Sequence, residues 1–170
     1  ESMFEVTPMK SLWYSLVILM VLASCKPQPK PEQQIQSALD NLLALSPNDN
    51  AKLHAIPVPI TWKIGNLSGT TLAATTIYHD RVEIVFDWQE ISLKRERLEP
   101  VIAHELDHAY DAFVVYGVDE FISIVNNEKK LPWKDRTLEK SALKQESETR
   151  KFLLKNYPDK FKGMKPERPV

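Results

Sequence analysis

Hydrophobic and polar positions recur with different periods along the chain, and the periods divide it. From Gln34 to Leu45 the apolar residues Ile35, Ala38, Leu39, Leu42 and Leu43 fall at three- and four-residue spacing, which predicts a helix ended by Ser46-Pro47. Pro57 to Leu67 alternates instead, with Ile60, Trp62 and Ile64 on one face, until Ser68-Gly69. Leu72 to Tyr78 and Arg81 to Trp88 read as a second and third strand around a turn at His79-Asp80; in the latter, Val82, Ile84 and Phe86 alternate against Glu83 and Asp87. A helix follows between Pro100, suited to a first turn, and Gly117, suited to a C-terminal cap. A second covers Asp119 to Asn127 with Asp119 as N-cap. After Leu131-Pro132-Trp133, a third runs from about Arg136 to Asn156 and stops at Pro158. The pattern predicts an α+β domain over residues 35–157: a short antiparallel or mixed sheet of about three strands, packed on the 100–117 helix and two further C-terminal helices. Residues 158–170 are expected to be a disordered tail, and no internal repeat is present.

The N-terminal stretch obeys neither period. Leu12 to Ala23 is apolar apart from Ser15, too short for the roughly 20 residues a spanning helix needs. Lys10 precedes it and the small residues Ala23 and Ser24 follow, the layout of a secretory signal peptide. The run closes on Leu22-Ala23-Ser24-Cys25, which resembles the bacterial lipoprotein signal. That resemblance implies cleavage before Cys25 and acylation of Cys25. Residues 1–24 would then be an upstream extension plus signal, with Met9 as the natural start. Residues 25–34 would be a tether stiffened by Pro27, Pro29 and Pro31. The mature protein would be lipid-anchored in a bacterial cell envelope, on the periplasmic side of the outer membrane in a Gram-negative host, since Lys26 rather than Asp follows the cysteine.

Composition narrows the function. Lys+Arg is 22 and Asp+Glu 23, a net charge of -1, so no basic excess exists to neutralise the phosphates of a nucleic acid. Four glycines leave little room for a Gly-rich phosphate loop. One cysteine can build neither an intrachain disulfide nor a Cys-based zinc ribbon.

One motif carries chemistry. His104-Glu105-Leu106-Asp107-His108 is HExxH, inside the helix expected behind the third strand. Residues four apart are neighbours on a helix, with Cβ atoms about 5–6 Å apart, so two imidazoles can converge on one metal ion. Glu105, about 100° further round, can reach a water there without being a ligand. A catalytic zinc site usually takes three protein ligands and leaves one position for water. The metzincin continuation HExxHxxGxxH is excluded, because positions 111 and 114 are Asp and Val. Asp111 shares the histidine face but rises about 4.5 Å past His108, which suits a group orienting a histidine N–H better than a ligand. On the third helix Glu139, Ala142, Glu146 and Arg150 share a stripe. Arg150 can hold Glu146 at i+4, leaving Glu139 the freer candidate ligand, with Glu146 the alternative.

His104 to Asp111, HELDHAYD, with the later Glu139-x-x-Ala142, resembles the glutamate-ligand zincin metallopeptidases, over roughly residues 98–152. It is similar in particular to the mitochondrial peptidase family that processes an ATP-synthase subunit, and the downstream Glu and Arg also resemble bacterial zincin-like effector domains. The resemblance implies one Zn2+ on His104, His108 and Glu139, Glu105 as general base, and a protein or peptide substrate. His79, Tyr110 and Tyr116 are open candidates for stabilising an oxyanion, and the strand Val82 to Phe86 for pairing with an extended substrate. The competing readings are a zincin-like binding lipoprotein without hydrolysis and a structural envelope lipoprotein.

Overall fold

A computed structural model describes residues 29–94 and 97–166. The chain divides into the units Glu1–Lys30 and Pro31–Val170, and apart from Pro29 and Lys30 everything described belongs to the second. The apolar run, Cys25 and the start of the tether lie outside the described residues. From Pro31 onward the order is α1 (Pro31–Leu45), α2 (Pro47–Ala55), β1 (Ile60–Ile64), β2 (Ala73–Ile77), β3 (Val82–Phe86), α3 (Trp88–Lys94) and α4 (Leu98–Tyr110). A π-helical turn (Asp111–Val115), α5 (Val118–Glu128), a 3-10 turn (Trp133–Asp135) and α6 (Thr137–Asn156) complete it. The class is α+β, with a three-stranded mixed sheet, as the periodicity predicts.

The strand order is β1-β3-β2. β3 runs parallel to β1 and antiparallel to β2, with Thr75 opposite Ile84. Val82, Ile84 and Phe86 are the fully buried alternate positions of β3. They meet Leu39 and Leu42 of α1 and Ile102 and Leu106 of α4 in the main core. Each such side chain contributes about 1.5–3 kcal/mol by leaving water. Because β3 is paired on both sides, it cannot accept a further strand. The expectation that Val82 to Phe86 pairs with substrate is overturned, and β1 and β2 are the edge strands of the sheet.

Several boundaries differ from expectation for identifiable reasons. Pro31 to Gln34 are helical, so the stretch outside helix is shorter than a 25–34 tether. Ser46-Pro47 ends α1 but also starts α2, because Ser46 caps the Asp49 N–H and Pro47 takes the first helical position. Asp87 starts α3 by accepting N–H bonds from Leu67 (2.8 Å) and Glu90 (3.1 Å), which hold its carboxyl below its ordinary pKa. Gly117, at φ 84°, caps α5 in place of Asp119. The tail is ordered at least to Pro166: Phe161 is 1% exposed and packs with Leu153 and Met164.

Candidate metal centre

Helix α4 is buried along almost its whole length, so its polar residues must find partners inside the protein. His104 and His108 leave the same side, with ring centroids 4.9 Å apart and planes at 81°. The 139–146 stretch of α6 lies against α4, where Ser141 donates to Asp107 (2.9 Å) and the small, fully buried Ala142 permits close approach. One turn before Ala142, Glu139 faces the rings. Its Oε2 lies 3.5 Å from His104 Nε2 and 3.7 Å from His108 Nε2. Both separations exceed the N–H···O hydrogen-bond range, and this buried oxygen makes no hydrogen bond. His104, His108 and Glu139 could hold a metal ion, and they are the one such group among the described residues.

Glu146 stands behind the centre rather than in it. Its Oε2 is 3.2 Å from His104 Nδ1, on the far edge of the ring, and its Oε1 accepts from Arg150 (2.9 and 3.3 Å). Arg150 is itself 2% exposed. The i+4 pairing of Glu146 with Arg150 thus forms as the stripe predicts, and Glu139 is the carboxylate that meets both Nε2 atoms.

The electrostatics follow from this crowding. Burial opposes a charge on His104, but the carboxylates of Glu139, Glu146 and Glu105 outweigh it and lift its pKa to about 9. Burial likewise opposes ionisation of Glu139, yet the two imidazoles hold it down at about 2. Arg150 already balances Glu146, and a proton on His104 balances a second of the three carboxylates.

Glu105 is buried at the edge of a cleft of about 950 Å³ and accepts a 2.6 Å hydrogen bond from Thr75 Oγ1 of β2. That hydroxyl holds the carboxylate in the cleft that both histidines also line. Trp133, in the 3-10 turn before α6, lies parallel to His104 at 13° and 6.5 Å between ring centroids. Asp111 opens the π-helical turn and is absent from the metal group. Burial and the neighbouring Asp107 push its pKa up to about 6, against the pull of His108 and Lys52. Asp107, three positions from His104, is ion-paired with Lys52 of α2.

Of the three oxyanion candidates, none borders the cleft. His79 is exposed and pairs with Asp119 (3.0 Å), Tyr110 lies under Lys52, and Tyr116 packs in the small cluster around Ala112 and Phe121. Thr75, Trp133 and Lys52 were not distinguished by sequence. Lys52 had a usable signal, since Ser46-Pro47 could have been read as a helix start. The other two meet the site at sequence separations of 30 and 29 positions, and no local pattern announces that. No protein-family model matches the chain, and no curated protein and no solved structure matches it either.

Proposed function

We propose that the chain is a zinc metallopeptidase, hydrolysing peptide bonds in a protein or peptide substrate and held to a bacterial envelope by a lipid on Cys25. The observation that carries the hydrolase reading is the convergence of His104 Nε2, His108 Nε2 and Glu139 Oε2 beside Glu105. Ligand atoms about 2.0–2.1 Å from a tetrahedral zinc ion lie about 3.3–3.4 Å from one another, close to the 3.5 and 3.7 Å separations from Glu139. Two neutral imidazoles and a carboxylate are also the donor set of known catalytic zinc sites, which keep a fourth position for water. The unbonded Glu139 oxygen fits the same assignment.

Zinc, when bound, would polarise the scissile carbonyl and lower the pKa of water at the site from 15.7 to about 7. The chain's own residues supply the rest. Glu105, aimed by Thr75, takes the proton of the attacking water and delivers it to the leaving nitrogen. Glu146, backed by Arg150, orients the His104 ring through Nδ1, leaving Nε2 for the ion. β2, paired with β3 alone among the described strands, borders the cleft and can align an extended substrate. The lipid anchor rests on Leu22-Ala23-Ser24-Cys25 alone.

The test is metal content followed by peptide hydrolysis. One zinc per chain is expected, with Glu105→Gln keeping the zinc while hydrolysis falls by about 10²–10⁴-fold. A chain that takes up no zinc, and whose stability is indifferent to His104→Ala, would end this reading. Zinc bound without any hydrolysis would leave a zincin-like binding protein.

A further inference from the structure

Outside the histidines, the cleft is walled mainly by apolar groups. Leu72 and Val101 are buried at its back, with Phe121 and Leu138 beside them. Val125 and Trp133 stand at its rim with 38% and 45% of their surfaces exposed. Ile122, three residues from Val125, extends the exposed apolar face of α5. Exposed apolar side chains that adjoin a polar centre mark a place where another molecule covers them.

Trp133 is held in that position from both ends of its loop. Arg136 donates to the carbonyls of Leu131 (3.2 Å) and Lys129 (3.3 Å). The Glu128 carboxylate accepts from Thr137 N (2.7 Å) and Thr137 Oγ1 (2.6 Å), closing the segment from 128 to 137. An indole fixed at a rim loses little freedom when a ligand packs on it, which favours a specific contact. The charged groups nearby argue the same way. Glu105 and Glu139 at the centre repel an acidic side chain, while Glu128 is engaged by Thr137 and Lys134 and Arg136 on the same rim repel a basic one.

We propose that this cleft selects an extended polypeptide with a bulky apolar side chain beside the bond that is cut, received between Trp133 and the wall of Phe121, Val125 and Leu138. This rests on the hydrolase reading for the cutting, though not for the binding. The extended backbone lies along β2, and the side chain fills the space that leaves Trp133 and Val125 in water. Trp133 is thereby a specificity-determining residue rather than a core aromatic.

The experiment uses one peptide series with Leu, Phe, Ala, Asp or Lys at a single position. Cleavage is followed with the zinc-loaded chain, and binding by fluorescence anisotropy with zinc-loaded Glu105→Gln. Leu and Phe are expected to exceed Ala by at least about tenfold in both, since even one methylene in an apolar pocket discriminates about 10-fold or more. Trp133→Ala should collapse the Leu-to-Ala ratio, and Val125→Ala should reduce it. Preferential binding of the Leu and Phe peptides without cleavage would uphold the apolar pocket and sink the hydrolase reading alone. Equal binding across the series, a preference for Asp or Lys, or a ratio untouched by Trp133→Ala would overturn the pocket whether or not peptides are cut.

Discussion

Next to the histidines on helix α4, Asp107 accepts from Ser141 and is paired with Lys52, which also donates to Gln145 (3.0 Å). Gln145 passes a hydrogen bond to Asp49 (2.8 Å), and Asp49 takes another from Thr149 (3.1 Å). At the histidines themselves, His104 and His108 face Glu139 at distances too long for hydrogen bonds, with a buried Glu139 oxygen left over. Both regions are buried and polar, and both join α4 to α6. The first carries its own cation and closes its hydrogen bonds, as a structural network must. The second brings His104, His108 and Glu139 into a group that could hold a metal ion. A buried cluster that completes itself holds the fold together, whereas one that leaves a carboxylate oxygen without a hydrogen bond beside two imidazoles could hold an ion.

Breaking each side in turn separates the two roles. His108→Ala should cost more than about 100-fold in zinc affinity, the upper end for an outer contact, while the metal-free chain loses less stability in urea than Lys52→Met removes. Lys52→Met should do the reverse, leaving zinc affinity within tenfold but removing about 3–5 kcal/mol of stability, because it strands Asp107 as a buried charge. Both are read by metal titration and denaturation of the same samples.

Acidity sharpens the comparison further. The folded pKa of His104 is raised to about 9, so its contribution to the metal-free chain is full below its unfolded value near 6.5 and fades as pH rises towards 9. Glu139, lowered to about 2, contributes fully above its unfolded value near 4.5 and loses that contribution as pH falls towards 2. The pair is therefore most stabilising between about pH 4.5 and 6.5. Zinc must displace the proton on His104, so titration at pH 7 should release about one proton per ion, and affinity should rise with pH up to about 9. Calorimetry in buffers of different ionisation enthalpy measures that proton.

The smallest effect is expected at Asp111, between the two regions. Its raised pKa, about 6, means that its ionised form is a cost to the fold above that pH. Asp111→Asn should raise the Tm of the metal-free chain by about 2–4 °C at pH 8, roughly what 1 kcal/mol is worth at this size, and by nothing below pH 4. A Tm that falls at pH 8 would show that the carboxylate is needed where it stands.

How legible these regions were depended on how local their causes are. The histidine pair could be read directly, because i and i+4 adjacency is a property of the helix itself. Glu139 could be reached from the stripe it shares with Ala142, since a small residue on a helix face signals close approach. β3 could be recognised as a strand from its alternation, but alternation fixes which face is buried and not which strands lie alongside, so its central position could not be foreseen. Thr75 shows the limit most clearly. Its hydroxyl reaches Glu105 only because β2 is the strand that lies against α4, a consequence of sheet order invisible in seven letters of sequence. The described part of the tail misled for the opposite reason: its charge and prolines suggest a solvated end, yet Phe161 and Met164 pack it against Leu153.

The parallel stack of Trp133 on His104 has a use beyond recognition. Indole emission is sensitive to charge on a neighbouring ring, and the arrival of a proton or a metal ion on His104 changes that charge a few ångströms away. The molecule thus carries an optical gauge of its own occupancy, readable without any label. The difference spectrum between this chain and Trp133→Phe isolates that signal from the other three tryptophans.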